Sequence, residues 1–180
     1  MSKWKKVTLS DLGDIIGGST PSTKDDSNYG GEIPWITPKD LSKYSSRYIS
    51  RGERNISVKG LKGCSAKLLP AGTVLFTSRA PIGYIAIANI PVCTNQGFKS
   101  IVPNRNTNSK FLYYLLKHNK ELIESMGSGT TFKEVSGSTM KNIEVMIPEN
   151  IDEQVSIGDI LSCLDDKIEL NSNINDNLSA

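Results

Sequence analysis

The longest repeating pattern of apolar and polar positions lies at the end of the chain. Residues 150–180 contain no proline and one internal glycine, Gly158, and Pro148 separates them from the preceding segment. Asn150 or Asp152 can cap the start, and acidic residues in a first turn suit the helix dipole. This pattern predicts one helix of roughly 45 Å, at ~1.5 Å per residue.

The apolar positions of this helix follow an imperfect seven-residue repeat that is interrupted by polar residues. A polar residue in such a seam fixes the register between paired helices at some cost in stability. The repeat indicates either an amphipathic helix that folds back on its own domain or a coiled-coil-type helix that pairs with another chain. The predicted helix-pairing residues are Ile157, Ile160, Leu164, Ile168, Asn171, Ile174 and Leu178.

Shorter patterns before this helix predict a domain of mixed α and β structure. Apolar and β-branched runs between turn residues predict strands at 33–36, 73–78, 82–88, 100–103 and 143–147. Apolar residues at helical spacing predict a helix over 110–126, with Leu122 and Met126 on its buried face, and a shorter helix over 135–141. Asn108 or Ser109 is expected to cap the longer helix, and Thr37 a helical turn that begins at Pro38.

The fold class is therefore predicted to be α+β. Residues 1–148 are expected to form a domain with a mixed β-sheet and packed helices, and residues 149–180 a long C-terminal helix. With 180 residues, of which 37% are hydrophobic, the chain suits one domain with a real core plus an appendage.

The cysteines and the apolar runs indicate the compartment. Cys64, Cys93 and Cys163 are widely spaced and form no CxxC pair, so a zinc site is not expected. An odd count of cysteines without a secretory signal fits a reducing cytoplasm. No apolar run approaches the ~18 residues of a membrane span.

Charge divides the chain more sharply than its net value of +2 suggests. Residues 149–180 hold one lysine and eight acidic residues, a net charge of −7, and residues 1–148 carry +9. A basic domain that carries an acidic helix indicates a polyanionic partner for the domain and a separate partner for the helix.

Basic residues are concentrated between Lys39 and Lys67, where eight of them stand against Asp40 and Glu53. Tyr44 and Tyr48 lie among them. Arginine and tyrosine together supply phosphate contacts, bidentate base contacts and stacking, although such a run also suits a solvated surface. The predicted DNA-contacting residues are Arg47, Arg51, Arg54, Arg79, Lys99, Thr130, Thr131 and Lys133.

Several kinds of catalytic site are missing from the sequence. It shows no metal-ligand cluster, no dinucleotide fingerprint and no Asn/Asp-Pro-Pro-aromatic element of base methylation, and its single histidine is a poor basis for a catalytic triad. The glycine-rich segment 127–133 lacks the GK[ST] ending of a P-loop. The residues indicate a binding protein without cofactor or metal, not an enzyme.

Several short motifs occur in one order along nearly the whole chain. These motifs are Trp4 with 7–12, Gly18–Pro21, Ile33–Leu41, Leu69–Leu75, Ser78–Gly83, Thr94–Phe98, Gly127–Thr131, Glu153–Gln154 and Leu164–Asn171. In this set and order of motifs, the chain resembles one half of a type I restriction-modification specificity subunit.

The resemblance implies a target recognition domain in residues 1–148 followed by the start of a conserved spacer helix. In that family two recognition domains each bind half of a bipartite double-stranded DNA site, and paired antiparallel helices set the distance between the halves. Methylation subunits with S-adenosylmethionine and a restriction subunit with nuclease and ATPase dock on this frame, so the chain itself would catalyse nothing.

Two alternatives stay open at this point. A full family member has two recognition domains and two spacer helices, so this chain is either a half-subunit that forms a homodimer or a fragment. It is also an alternative that the chain is mainly an assembly module, with little DNA affinity of its own.

Overall fold

The computed structural model describes residues 3–42, 44–129 and 133–178, and within these ranges it contains ten strands, seven α-helices and one short 3-10 helix, Asp26–Asn28. The strands are β1 (Trp4–Thr8), β2 (Gly13–Gly17), β3 (Tyr29–Ile36), β4 (Tyr48–Ile49), β5 (Arg54–Ile56), β6 (Val74–Ser78), β7 (Ile82–Ala88), β8 (Cys93–Thr94), β9 (Lys99–Pro103) and β10 (Glu144–Pro148). The helices are α1 (Leu9–Leu12), α2 (Pro38–Leu41), α3 (Val58–Lys62), α4 (Ser109–His118), α5 (Lys120–Ser125), α6 (Gly137–Asn142) and α7 (Ile151–Leu178). The predicted α+β class is confirmed.

The centre of the fold is a five-stranded sheet with the order β2-β9-β6-β7-β4. Its strand pairs are antiparallel except β4 with β7, which are parallel. Every residue of β6 is buried, because alternate side chains enter cores on the two faces of the sheet. Val74 and Phe76 enter the larger core beside α4, and Leu75 enters the smaller core on the other face.

Two smaller sheets complete the strand pairing. Strand β3 lies between β5 and β8, and this sheet encloses Trp35, Ile56 and Cys93. Strand β1 pairs antiparallel with β10, with Trp4 opposite Pro148. The first strand of the chain is therefore tied to the strand that immediately precedes α7.

The prediction of one continuous helix over 110–126 is wrong, because the structure has two helices there. The α4 helix ends at His118, and Asn119 takes φ −91° and ψ 11° while its side-chain nitrogen donates to the Leu115 carbonyl at 2.8 Å. A separate helix, α5, follows. The break changes the direction of the apolar face, so Leu122 and Met126 are exposed instead of buried as predicted.

The predicted helix caps are observed. The Thr37 backbone N–H donates to Asp40 at 2.7 Å in a capping box at α2, with Pro38 at the first helical position. The Asn108 side chain caps α4, and that of Asn150 accepts from the backbone N–H of Asp152 at the start of α7.

Helix α7 is 28 residues long, and its first half packs against the globular part of the chain. Gly158 permits this contact, because a Cβ atom there would lie 2.9 Å from the backbone nitrogen of Phe111. The Gln154 side chain is buried beside it and accepts from the backbone N–H of Asn108 at 3.2 Å. Close packing and a buried polar anchor together fix α7 against α4.

Candidate nucleic-acid interface and the helix junction

Residues 95–98, between β8 and β9, form a loop, here called the hub loop, at one end of the central sheet. The backbone N–H of Asn95 donates to the Ile36 carbonyl at 3.0 Å. The backbone N–H of Ser78 donates to the Gly97 carbonyl at 2.8 Å. The segments that follow β3 and β6 are thereby held against the hub loop.

The loop after β2 reaches the hub loop as well. A Cβ atom on Gly18 would lie 2.1 Å from the Asn95 carbonyl oxygen, so the backbones approach more closely than any side chain allows. The Thr20 hydroxyl donates to the Gln96 side chain. Three segments with turn-forming sequences therefore converge here, although they are far apart along the chain.

Two of the predicted DNA-contacting side chains flank one carboxylate beside this convergence. Arg79 Nη1 lies 3.3 Å from a Glu134 carboxylate oxygen, and Lys99 Nζ lies 3.4 Å from the other oxygen. The backbone N–H of Val135 donates to the Ser78 carbonyl at 3.0 Å, which holds Glu134 next to the β6–β7 turn. Arg79 and Glu134 are both half-exposed, so water reaches the cluster.

Lys133 immediately precedes Glu134 and is exposed. Arg79 and Lys99 thus contact one acidic side chain, and Lys133 is its neighbour in sequence. The predicted contacts Thr130 and Thr131 lie outside the described residues.

A second basic group surrounds β5. Arg51 and Arg54 are exposed, and the Arg54 guanidinium lies 4.1 Å from the centre of the Tyr29 ring. Lys39 forms an ion pair of 2.7 Å with Glu53. Stacking on an aromatic ring holds the Arg54 guanidinium in place while leaving its edge available for hydrogen bonds.

The capped turn at α2 connects the two basic groups. A Cβ atom on Gly97 of the hub loop would lie 2.8 Å from Pro38. On the other side of this turn, the Asp40 carboxylate accepts from the Glu53 backbone N–H at 2.7 Å. Both groups therefore border one set of interlocked loops.

Arg47 is positioned differently from the other predicted DNA-contacting residues. Its side chain is only 9% exposed, and Nη2 donates to Asp166 of α7 at 2.7 Å. Nη1 donates to the Tyr114 hydroxyl at 3.2 Å and to the Ser162 carbonyl at 3.4 Å. The guanidinium is directed to the joint between the globular part and α7.

Asp165 extends this joint, which we call the helix junction and define as Arg47, Tyr114, Lys117, Asp165 and Asp166. The Tyr114 hydroxyl donates to Asp165 at 2.8 Å, and Lys117 Nζ lies 3.8 Å from the same carboxylate. Two acidic residues of α7 are thereby matched by side chains from α4 and from the segment just before β4.

The electrostatics of the helix junction favour the protonated forms of the Tyr114 hydroxyl and the Arg47 guanidinium. Burial and the hydrogen bond to Asp165 raise the pKa of the Tyr114 hydroxyl, which therefore stays a donor. Burial alone would lower the pKa of the Arg47 guanidinium, but the hydrogen bonds to Asp166 and Tyr114 raise it. Both side chains therefore keep their protons at neutral pH.

The predicted helix-pairing residues lie mainly on the face of α7 that points away from the globular part. Ile160, Leu164, Ile168 and Ile174 are between 46% and 65% exposed, and Asn171 is exposed beside them. We call these five residues the apolar stripe. Ile157 is half-buried against the core, and the Leu178 side chain lies outside what the structure describes.

Metal-binding groups and membrane-spanning helices are both absent from the described ranges. Residues 3–42, 44–129 and 133–178 contain no group of three His, Cys, Asp or Glu side chains able to hold a metal ion. Over the same ranges, no helix has the length and apolar character needed to cross a membrane.

Sequence reasoning missed the hub loop and the helix junction. Gly18 and Gly97 were signals for the first, because glycine permits a close backbone approach. For the second, the adjacent carboxylates of Asp165 and Asp166 on a helix with an apolar opposite face were the available signal, but nothing local identifies Arg47 as their partner.

Comparisons with known proteins agree with one another. The family model described as "Type I restriction modification DNA specificity domain" matches residues 1–180. The chain is 51% identical over 168 residues to the type I restriction enzyme MjaIX specificity subunit of Methanocaldococcus jannaschii, covering 92% of this chain and 39% of that protein. It is 33% identical over 148 residues to the HindI specificity subunit of Haemophilus influenzae, covering 81% of this chain and 32% of that protein.

Solved structures share the fold. The HsdS subunit of Thermoanaerobacter tengcongensis matches with a TM-score of 0.71 at 20% identity, over 95% of this chain and 39% of that one. A second match comes from a structure of complex assembly and conformational transition in the type I R-M system. Its TM-score is 0.74 at 23% identity, and the match covers 97% of this chain and 41% of that one. The chain thus spans between 32% and 41% of the length of these four relatives.

Because the family model matches residues 1–180, the chain belongs to the type I restriction-modification DNA specificity family.

Proposed function

We propose that this chain selects DNA sequence for a type I restriction-modification system. Residues 1–148 would bind one half of a two-part duplex site, and residues 149–180 would form the helix that pairs and docks. The family match over residues 1–180 carries this proposal. The net charge of +9 in residues 1–148 supports it, because phosphate neutralisation supplies most of the affinity for DNA.

The proposed DNA surface is the set of loops around the hub loop. Arg51, Arg54, Arg79, Lys99 and Lys133 border these loops. Arg79 and Lys99 would exchange their contacts with Glu134 for phosphate contacts when DNA binds. We leave Arg47 out of the proposed surface because its guanidinium is buried in the helix junction.

We further infer that the chain is not itself catalytic and that methylation and restriction subunits supply the chemistry. The names of its relatives, which describe specificity subunits of restriction enzymes, support this inference. A reducing cytoplasm is our proposed location, supported by Cys64, Cys93 and Cys163, which are all free.

Selection from a pool of random duplexes tests the DNA-binding proposal, since such a pool contains every short target. The purified chain is expected to enrich one short motif over successive rounds. Uniform retention of all sequences would reduce the function to non-specific binding. Failure to retain any duplex at low salt would favour the assembly module instead.

Replacing Arg51 with alanine should weaken binding to the enriched motif by about 1–3 kcal/mol and relax selectivity at one base pair. The reason is that we place the exposed Arg51 guanidinium at a base edge, where two parallel hydrogen bonds distinguish one base pair from the others. Fluorescence anisotropy on the motif and on its single-base variants measures both effects.

Arg105→Ala is the matched control. Arg105 is also exposed, but it comes just after the last residue of β9, whereas Lys99 is the first residue of that strand. Binding by this variant is expected to stay within about twofold of the parent chain. If Arg51→Ala lowers affinity equally for every duplex, Arg51 contacts phosphate and not a base.

The apolar stripe favours a second function, self-assembly. It leaves four aliphatic side chains of α7 between 46% and 65% exposed on one face. We propose that two α7 helices pair antiparallel through this stripe. Antiparallel pairing is favoured because it opposes the helix dipoles and keeps two domains of charge +9 apart.

A further inference from the structure

A groove of about 520 Å³ lies between the β1–β10 ribbon, the end of α4 and the first half of α7. Its lining includes Trp4, Met146, Leu115, Ile157 and Leu161. Trp4 and Met146 are each 48% exposed. Large apolar side chains that are grouped and left half in water mark interaction surfaces.

The two-residue alternation of the ribbon explains why these side chains face outward. Val145 and Ile147 of β10 point into the larger core and are buried. Met146 lies between them and therefore points to the opposite face, where its strand partner is Lys6. Trp4, two residues before Lys6, shares that face, so the outer side of the ribbon presents two large apolar side chains that the described part of the chain leaves half uncovered.

The groove is continuous with the apolar stripe. Ile157 and Leu161 line the groove and also lie on α7, one turn from Ile160 and Leu164 of the stripe. A second helix laid on the stripe near its N-terminal end would therefore have α7 on one side and Trp4 on the other. This is the geometry of a helix bound in a groove.

We propose that the groove seats α7 of a second copy of this chain, with Trp4 and Met146 as its contacts. The proposal rests on the antiparallel helix pairing proposed above. An antiparallel partner runs its C-terminal part past the first half of α7, which is where the groove lies. Charge favours this occupant, because residues 149–180 carry −7 and the ribbon belongs to a domain of +9.

A stable interface between two copies also needs more buried area than the apolar stripe supplies. A stable interface buries ~800 Å² on each partner, and a buried aromatic side chain contributes ~150–250 Å². Four aliphatic side chains on one helix face supply only part of that area. Burial of Trp4 and Met146 on both copies would bring the pair toward the size of a stable dimer.

Trp4→Ala is expected to raise the dissociation constant of the dimer at least about tenfold, because buried tryptophan is a frequent interface hot spot. Sedimentation equilibrium on the full chain measures this constant. Met146→Ala should raise it by a smaller factor. Leu122→Ala on α5 is the matched control. Leu122 is a large apolar residue that is 40% exposed and does not line the groove, so its replacement should leave the dissociation constant unchanged.

Tryptophan fluorescence gives an independent measurement. The chain has two tryptophans, and Trp35 is only 5% exposed, so a blue shift as the concentration rises from monomer to dimer reports Trp4. The groove would be overturned, and helix pairing left intact, if both substitutions left the dimer affinity unchanged and the parent chain dimerised without a blue shift. A strict monomer at high concentration would overturn both, while sequence-selective DNA binding would stand on its own test.

Discussion

Replacing both Asp165 and Asp166 with asparagine is expected to lower the free energy of unfolding by about 3 kcal/mol. The reason is the position of Arg47, whose guanidinium is buried and would lose both of its carboxylate partners. A buried charge without a counter-ion costs more than the salt bridge itself contributes. Urea denaturation of the two chains measures the difference, with the m-value as a check that the unfolded states are alike.

Two variants make this expectation specific to the helix junction. Arg47→Met removes the buried charge and keeps an apolar stem, so it should cost less than the double asparagine variant. Lys110→Ala breaks an exposed ion pair with Asp159 that joins the same two helices, and it should cost no more than about 1 kcal/mol. Equal destabilisation by the asparagine pair and by Lys110→Ala would show that burial of Arg47 does not matter.

Leu164→Glu should raise the dissociation constant of the self-associated chain at least about thirtyfold, since a charge in the centre of an apolar interface costs about 2 kcal/mol or more. Leu164 lies in the apolar stripe and is 52% exposed in the single chain. The folded monomer should therefore tolerate the substitution. Analytical ultracentrifugation measures the effect on assembly, and circular dichroism checks that α7 is kept.

Leu170→Glu provides the comparison, because Leu170 is 59% exposed on α7 but lies roughly 120° around the helix from Leu164. It should leave the dissociation constant within about threefold. If both variants dissociate the dimer equally, the pairing face is not the apolar stripe. If neither does, α7 does not mediate self-association.

The sequence predicted most of the regular structure because the signals for it are local. The apolar, β-branched run that predicted a strand over 82–88 gives β7 with the same bounds, and the caps at Thr37 and Asn108 follow from side chains that bond their own turns. The helix over 110–126 was only partly predictable. Asn119 is an acceptable residue within a helix, and the contact of α5 with β7 that accompanies the break is tertiary, so the local pattern does not report it.

The candidate sites were less predictable because their members are distant in sequence. The basic character of Arg51 and Arg54 was evident from composition. Arg47 lies in the same basic stretch, yet it contacts Asp166, which is 119 positions away. Whether an arginine faces solvent or a helix depends on tertiary packing, and periodicity carries no information about that.

The pairing of β1 with β10 has a consequence for how such a chain can be built into larger proteins. Because Trp4 lies opposite Pro148, the chain enters and leaves its globular part at one place. A unit with adjacent entry and exit can be inserted, repeated or exchanged without moving the segments on either side. The direction in which α7 departs is then set by the ribbon, by α4 and by the helix junction, and not by the loops at the far end of the sheet.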